Sequence, residues 1–480
     1  MTSSAVMEPP VENDVEGIAT STNDVGQEFT PDGRIKVSRK AWAARLLVIS
    51  TLLLITGYNL IMGLQLDDPL VVYSTLMPFH SLLVFATGWL LFKNRATGEP
   101  GNEKVSVIIP VYNQEALIEE VVEAVYRSTY TNIEVVTVND GSKDDTGEIL
   151  NELAFRYPGL RVINKENGGK RTAVAAGFKA STGRYVVLID SDSLIGQNAI
   201  REFMKTLNNN PKIGGVVANC KVWNSDKNTL TKCQDVWYDY AFNIHKTTES
   251  FFGSVLCCSG SLACYRREAI NDFIPYWVEA KVQNSDDRDL TTYAIAPSWA
   301  KKEFAPIKTT LMESMARFDD SEDRSLTSIT LNEWETAYIP SAVVHTEVPE
   351  TLKKYIRQQV RWRKGYFRSS FYVSAFFWKK NPLMALIFYT EFMSTFTAPL
   401  IIFTIYLYCP IVLKDYWLPI SYILSQVLIG FAAGLDYKAR DNGSKNWMYK
   451  PLMNLVTSFV LPWLSIPALL TYNKNRWLTR

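Results

Sequence analysis

Five apolar stretches bracket a long polar middle, and this distribution limits the fold more than any other feature of the chain. Residues 46–63 (LLVISTLLLITGYNLIMG) carry no charge, and neither do residues 69–92. Each is long enough to cross a hydrocarbon core. Arg34, Lys36, Arg39, Lys40 and Arg45 precede the first run and Lys93 and Arg95 follow the second, whereas the LQLDD connection has no basic residue. The positive-inside bias therefore puts both outer ends in the cytoplasm. The first run is too long, too far from Met1 and too poor in small residues to read as a cleaved signal peptide. Before it, residues 1–33 hold seven acidic and no basic side chains among Pro, Ser, Thr and Gly. Such a composition predicts a disordered acidic tail, taken as residues 1–38.

Further apolar stretches cover 383–413, 417–435 and 448–470. The first two make an outward and return pair. A third simple span would leave the basic 473–480 end outside, and Pro451, Pro462 and Pro467 interrupt it, so the pattern predicts a broken or re-entrant helix with the C-terminus inside. The organisation expected is two transmembrane helices in 39–95, a cytoplasmic domain in 103–348, amphipathic interface helices in 349–381 and a transmembrane region in 382–480. A plasma-membrane, multi-pass protein follows from it.

Lys+Arg 50 against Asp+Glu 49 leaves no global basic field to attract nucleic acid. The six cysteines show no CxxC spacing and no nearby histidine cluster, which speaks against a zinc site or a secreted disulfide framework, and they read as reduced thiols. Within 103–348, strand-like runs at 105–112, 133–140, 160–165, 184–192 and 213–219 alternate with helical patterns such as 114–128. This alternation predicts an α/β fold with an open, mostly parallel sheet. Ligands of such sheets bind beyond the carboxyl ends of the strands, where this sequence places its polar clusters.

Asp190-Ser-Asp192 ends one buried run, and period-two alternation points both carboxylates the same way. A hard divalent ion needs oxygen ligands of this kind, and a sugar diphosphate leaving group needs its charge neutralised. An Asx-rich turn would use the same residues, but three other polar strand ends accompany it: Tyr112-Asn113, Asn139-Asp140-Gly141-Ser142 and Asn167-Gly-Gly-Lys170-Arg171.

Through VSVIIPVYN, VVTVNDGSKDDT, NGGKRTAVAAGF and VVLIDSDS, in that order, the chain resembles the inverting family 2 glycosyltransferases. The resemblance implies a GT-A type fold, Tyr112 and Asp140 at a uridine, Lys170 near base or phosphates, and Asp192 holding Mg2+ or Mn2+ with Asp190 beside it. Gln114 stands where the family often has Glu. In Cys258-Ser259-Gly260-Ser-Leu-Ala-Cys-Tyr-Arg266-Arg267-Glu, a small-residue turn precedes adjacent arginines. The resemblance places Ser259, Gly260 and Arg266 beneath an acceptor sugar, and CSGSLACYRRE looks most like hyaluronan synthases.

Inversion requires a general base for the acceptor hydroxyl. Two similar stretches offer one, Ser285-Asp286-Asp287-Arg288 and Ser321-Glu-Asp323-Arg324. In synthases of this kind the base opens a helix, one strand follows, and a membrane-surface helix carries QxxRW. Asp323 is followed by the strand-like 336–348 and by Gln358-Gln-Val-Arg361-Trp362, whereas Asp287 is followed by two prolines and no strand. The order assigns the base to Asp323 and makes 286–318 an insertion or a degenerate copy, with Asp287 a helix-capping acid. Residues 351–380 hold nine Lys or Arg, no acid and interleaved aromatics, which suits an anionic membrane interface. The resemblance gives Gln358 and Arg361 to the diphosphate side of the site and stacks Trp362 on the acceptor. A processive, UDP-sugar-dependent, hyaluronan synthase-like enzyme is the leading expectation, with the growing polysaccharide and the bilayer as its partners. Chitin, cellulose, another β-glycan or a single-sugar polyprenyl-phosphate transferase stay open.

Overall fold

The computed structural model describes residues 28–30, 33–67, 69–279, 285–297, 333–441 and 445–472. Asp323, the first-choice base, and most of the 286–318 insertion lie outside the described residues.

Among the described residues, eight strands build one mixed sheet: β1 Val105–Val111, β2 Ile133–Asn139, β3 Leu160–Asn164, β4 Tyr185–Leu188, β5 Ser193–Ile195, β6 Ile213–Val222, β7 Ala263–Arg266 and β8 Glu335–Thr346. They lie in the order β3-β2-β1-β4-β7-β6-β8-β5. The β3-β2-β1-β4 half is parallel, as continuous apolar runs with helices on both faces require. On β2, Val135 faces the main core, while Val136 and Val138 pack with Ala173 of the helix Lys170–Ala180. That alternation is the sheet's period of two. The other half turns antiparallel at β7, which pairs with both β4 and β6. β6 and β8 run parallel, and β5 returns antiparallel along β8.

The run expected as one strand over 184–192 is divided. β4 stops at Leu188, the chain turns through Asp190–Asp192, and β5 joins the opposite sheet edge. Backbone bonds shape the turn: Asp190 N donates to Gly260 O at 2.9 Å, and Ser193 N to Asp190 O at 3.1 Å. The two carboxylates thus sit on a turn rather than on one face of a strand tip.

Among the described residues, four helices are long and apolar enough to cross a membrane: Arg39–Gln65, Val71–Leu91, Pro382–Leu413 and Trp417–Arg440. Leu54, Leu64, Ile411 and Leu424 are among their many exposed apolar side chains, the surface expected of lipid-facing helices. The last apolar stretch bends by 42° between Asn446–Phe459 and Leu461–Leu469, the break expected from its prolines.

A buried ionic chain fastens these helices to the sheet domain. Arg45 Nε donates to Asp436 at 2.7 Å, Arg440 Nε to the other oxygen of Asp436 at 2.6 Å, and Arg440 Nη2 to Asp239 at 2.9 Å. All four side chains are at most 4% exposed.

Candidate active site

The polar ends of β1, β2 and β4 meet at one sheet edge. Asn113 takes a left-handed backbone (φ 49°) and locks this edge: its N–H donates to Ser142 Oγ at 3.0 Å, and its Oδ1 accepts from Lys143 N at 2.9 Å. Gly141 also has positive φ (+70°), and a Cβ there would lie 2.8 Å from Asn167 N, so only glycine fits the turn. Asp140, 3% exposed, accepts from Gly168 N at 3.0 Å, Gly169 N at 2.8 Å and Lys165 Nζ at 2.5 Å. Its carboxylate therefore holds the NGG turn in shape. Tyr112 is half-buried directly after β1, on the same edge.

That turn starts the helix Lys170–Ala180 and aims its first two side chains at different targets. Lys170 Nζ donates to Asp190 Oδ1 at 2.5 Å and lies 4.0 Å from Asp287 Oδ1. Arg171, 1% exposed, clamps the start of the helix Asp286–Ile295, donating from Nε to Asp286 at 2.5 Å and from Nη2 to Asp289 at 2.8 Å. Its Nη1 donates to Trp277 O at 2.8 Å, and its guanidinium lies over the Trp277 ring. Sequence reasoning did not single out Arg171. The pairing of NGGKR with SDDRD is a tertiary fact, although a second cation beside Lys170 and a spare acid on each side of Asp287 were visible.

Asp287 is consequently a site residue rather than a surface cap. It is half-buried, and a Cβ built on Gly260 would meet Lys170 Nζ at 2.7 Å, Asp287 Oδ1 at 2.9 Å and Asp190 Oδ1 at 3.1 Å. The three charged ends thus converge over one bare backbone position. Burial, opposed by Lys170 and reinforced by Asp190 and Asp286, lifts the Asp287 carboxyl above its usual range. Burial and then the Asp190 charge raise Asp192 to about 6.

One lysine among three carboxylates leaves this cluster short of positive charge. The donor set is all oxygen, which suits a hard divalent cation held by Asp190 and Asp192.

The helix Leu352–Ser374 closes the other side. Trp362 stacks on Trp237 (5.7 Å between centroids, 18° between planes) and meets Tyr238 edge-on at 6.5 Å. Tyr238 joins this aromatic group to the acids. Burial pushes its hydroxyl pKa well up, the charges of Cys220, Asp192 and Asp190 add to the shift, and Arg361 opposes it. The Gln358 Oε1 is buried with no hydrogen-bond partner among the described residues. Trp237 and Tyr238 were missed because their helix, Thr229–Tyr240, carries no motif.

One expectation changes. Arg266 was expected under the acceptor, but β4 and β7 are antiparallel with Tyr185 opposite Arg266 and Leu188 opposite Ala263, so Arg266 sits at the sheet end remote from Asp190. It is 4% exposed and donates to Ile213 O at 2.7 Å and Tyr185 Oη at 3.1 Å, a structural role. Ser259 and Gly260, four or more residues earlier, stay at the site; Ser259 Oγ lies 3.1 Å from Ser261 Oγ. Asp287 opens the helix Asp286–Ile295, and β8 and the helix Leu352–Ser374 follow both Asp287 and Asp323 in the chain.

Residues 106–274 match the family model for glycosyl transferase family 2. The chain is 28% identical to a hyaluronan synthase of Streptococcus pyogenes over 414 residues, covering 83% of this chain and 88% of that one. It is 31% identical to an N-acetylglucosaminyltransferase of Rhizobium meliloti over 273 residues, 56% of each chain. A mannosyltransferase from Pyrobaculum calidifontis, solved with GDP-Man and Mn2+, superposes with a TM-score of 0.55 at 18% identity, over 85% of this chain and 99% of that one. The shared architecture is the GT-A type.

Proposed function

With a family 2 glycosyltransferase domain at residues 106–274 as premise, we propose that this glycosyltransferase is a processive membrane glycan synthase, hyaluronan synthase-like. It takes sugars from UDP-sugar donors on the cytoplasmic side, inverts the anomeric centre and exports the growing chain. The observation that carries the reading is the convergence of Lys170, Asp190 and Asp287 over Gly260, with Trp362 of the QxxRW helix packed on Trp237 and Tyr238. The similarity to hyaluronan synthase over 83% of the chain supports it further.

In this reading Asp287 is the general base. Its carboxylate takes the proton of the acceptor hydroxyl as that oxygen attacks the anomeric carbon. The bond from that carbon to the diphosphate breaks, and the nucleoside diphosphate leaves with the electron pair. A pKa raised by burial makes the Asp287 carboxylate a stronger proton acceptor. Lys170 spaces Asp190 from Asp287, so that the two carboxylates keep separate tasks. Mg2+ or Mn2+ held by Asp190 and Asp192 would neutralise the leaving diphosphate. Arg361 and Gln358 face the diphosphate from the interfacial helix, and Trp362, braced by Trp237, presents its remaining surface to the acceptor.

Purified protein given single UDP-sugars and pairs, followed by sizing and linkage-specific digestion of products, tests this. Long polymer from a pair supports a hyaluronan-like product, and long polymer from UDP-GlcNAc alone points to the chemistry named in the Rhizobium meliloti relative. A single sugar transferred to lipid refutes processivity.

A further inference from the structure

Away from the acidic site, His80, His245 and Glu391 bring one ligand atom each within 4.8 Å of one another, the one such grouping among the described residues. They come from three separate helical segments: Leu76–Ala86 and Pro382–Phe403, both within membrane-crossing helices, and Ala241–His245 of the sheet domain. Two of the chain's three histidines meet here, so their proximity does not follow from abundance. An ionisable group inside an apolar helix bundle is costly unless it has a task.

The geometry suits ligation. His245 Nε2 and Glu391 Oε2 are 3.2 Å apart. Two ligands on a tetrahedral ion with bonds of ~2.0–2.1 Å stand about 3.3 Å from each other, so this edge is already set. His80 is 8% exposed, and its Nε2 is buried with no hydrogen-bond partner among the described residues. An orphaned imidazole nitrogen beside a second imidazole and a carboxylate is the arrangement that lacks only a cation. Behind His245, the Glu249 carboxylate lies 3.9 Å from Nδ1, where it can orient the ring with Nε2 directed into the cluster. The backbone is held close: Thr248 Oγ1 donates to Val84 O at 2.8 Å, one helical turn from His80, and Gly88 sits against Ile244 O.

We propose that His80, His245 and Glu391 form a site for a borderline divalent metal ion of the zinc class, cross-linking two membrane-crossing helices to the sheet domain. Two imidazoles and one carboxylate favour such an ion over Mg2+ or Ca2+, which seek all-oxygen shells. The site is chemically distinct from the Asp190–Asp192 turn and does not depend on the proposed function.

The test is titration of the metal-stripped full-length protein in detergent with Zn2+ and, as spectroscopic probe, Co2+. The wild type is expected to bind Co2+ stoichiometrically with the visible absorption of a four-coordinate centre and imidazole scattering in X-ray absorption. His80→Gln and Glu391→Gln should each weaken Zn2+ binding by more than about tenfold, the least that loss of even an outer-shell partner costs. Asp192→Asn, which alters only the acidic turn, should retain the imidazole-ligated ion. Absence of a stoichiometric imidazole-ligated ion in the folded wild type overturns the proposal whatever the variants do, and so does unchanged affinity in folded His80→Gln.

Discussion

Gly260→Ala separates the chemistry of the acidic cluster from its contribution to stability. The added methyl would stand 2.7 Å from Lys170 Nζ, 2.9 Å from Asp287 Oδ1 and 3.1 Å from Asp190 Oδ1, against the 3.4 Å at which ordinary contact begins. All three atoms are the free ends of side chains, so they can yield by about 0.3 to 0.7 Å without moving the backbone. Gly260 does not have a positive φ, so the substitution brings no backbone strain. The stability cost should therefore stay within about 1 kcal/mol. Turnover is another matter, because displacing reacting groups by something approaching 1 Å costs roughly 100-fold, about 2.7 kcal/mol of barrier. Nucleoside diphosphate release under saturating donor, measured beside a thermal melt, reads both quantities. A variant that melts like the wild type and turns over within threefold of it would show that Gly260 does not underlie the reacting groups, and the site as built would be wrong.

Asp287→Asn should retain donor binding while turnover falls by about 100-fold or more, and Asp323→Asn should stay active; the reverse pattern returns the base to Asp323. Arg171→Gln leaves Asp286 without its ion-pair partner and Asp289 with Arg368 alone, and should destabilise the protein by roughly 3 kcal/mol, visible as a lowered melting temperature; an unshifted melt refutes the clamp. Glu134 offers a pH test. Burial raises its carboxyl, but Lys104, Ser106 and the N–H groups of Thr182 and Gly183 together bring it down to about 2. A carboxyl depressed from 4.5 to about 2 stabilises the fold at pH above about 4.5 and loses that contribution as pH falls toward 2, by up to roughly 3 kcal/mol. The melting gap between wild type and Glu134→Gln should accordingly be constant from neutral pH to about pH 5 and narrow below it; a gap independent of pH across that range contradicts the assignment.

The parallel half of the sheet was legible because both its faces are covered, so β1, β2 and β3 appear as apolar runs ending within a residue of their observed limits. β7 was not, since four residues between small and charged neighbours carry no period. The 184–192 run reads too long: Ile189 continues the apolar sequence by one residue past Leu188, and the turn through Asp190–Asp192 is fixed by the backbone bond from Asp190 to Gly260 rather than by local sequence. Asp190, Asp192 and Lys170 could be read from motif order. Spacing could not separate Asp287 from Asp323, because their local patterns are near-identical and the grip of Arg171 on Asp286 and Asp289 is a tertiary contact. Arg266 failed for want of the β4/β7 register, which puts it at the far end of its strand. Trp237 and Tyr238 enter the site through helix packing that no local pattern encodes.

The ion chain from Arg45 to Asp239 bears on how the molecule is made. Arg45 is 2% exposed, and its counter-ion Asp436 follows 391 positions later. During synthesis, the helix Arg39–Leu66 therefore lacks this counter-ion until residue 436 has emerged. A product terminated before that point would carry an uncompensated guanidinium where the finished fold buries an ion pair.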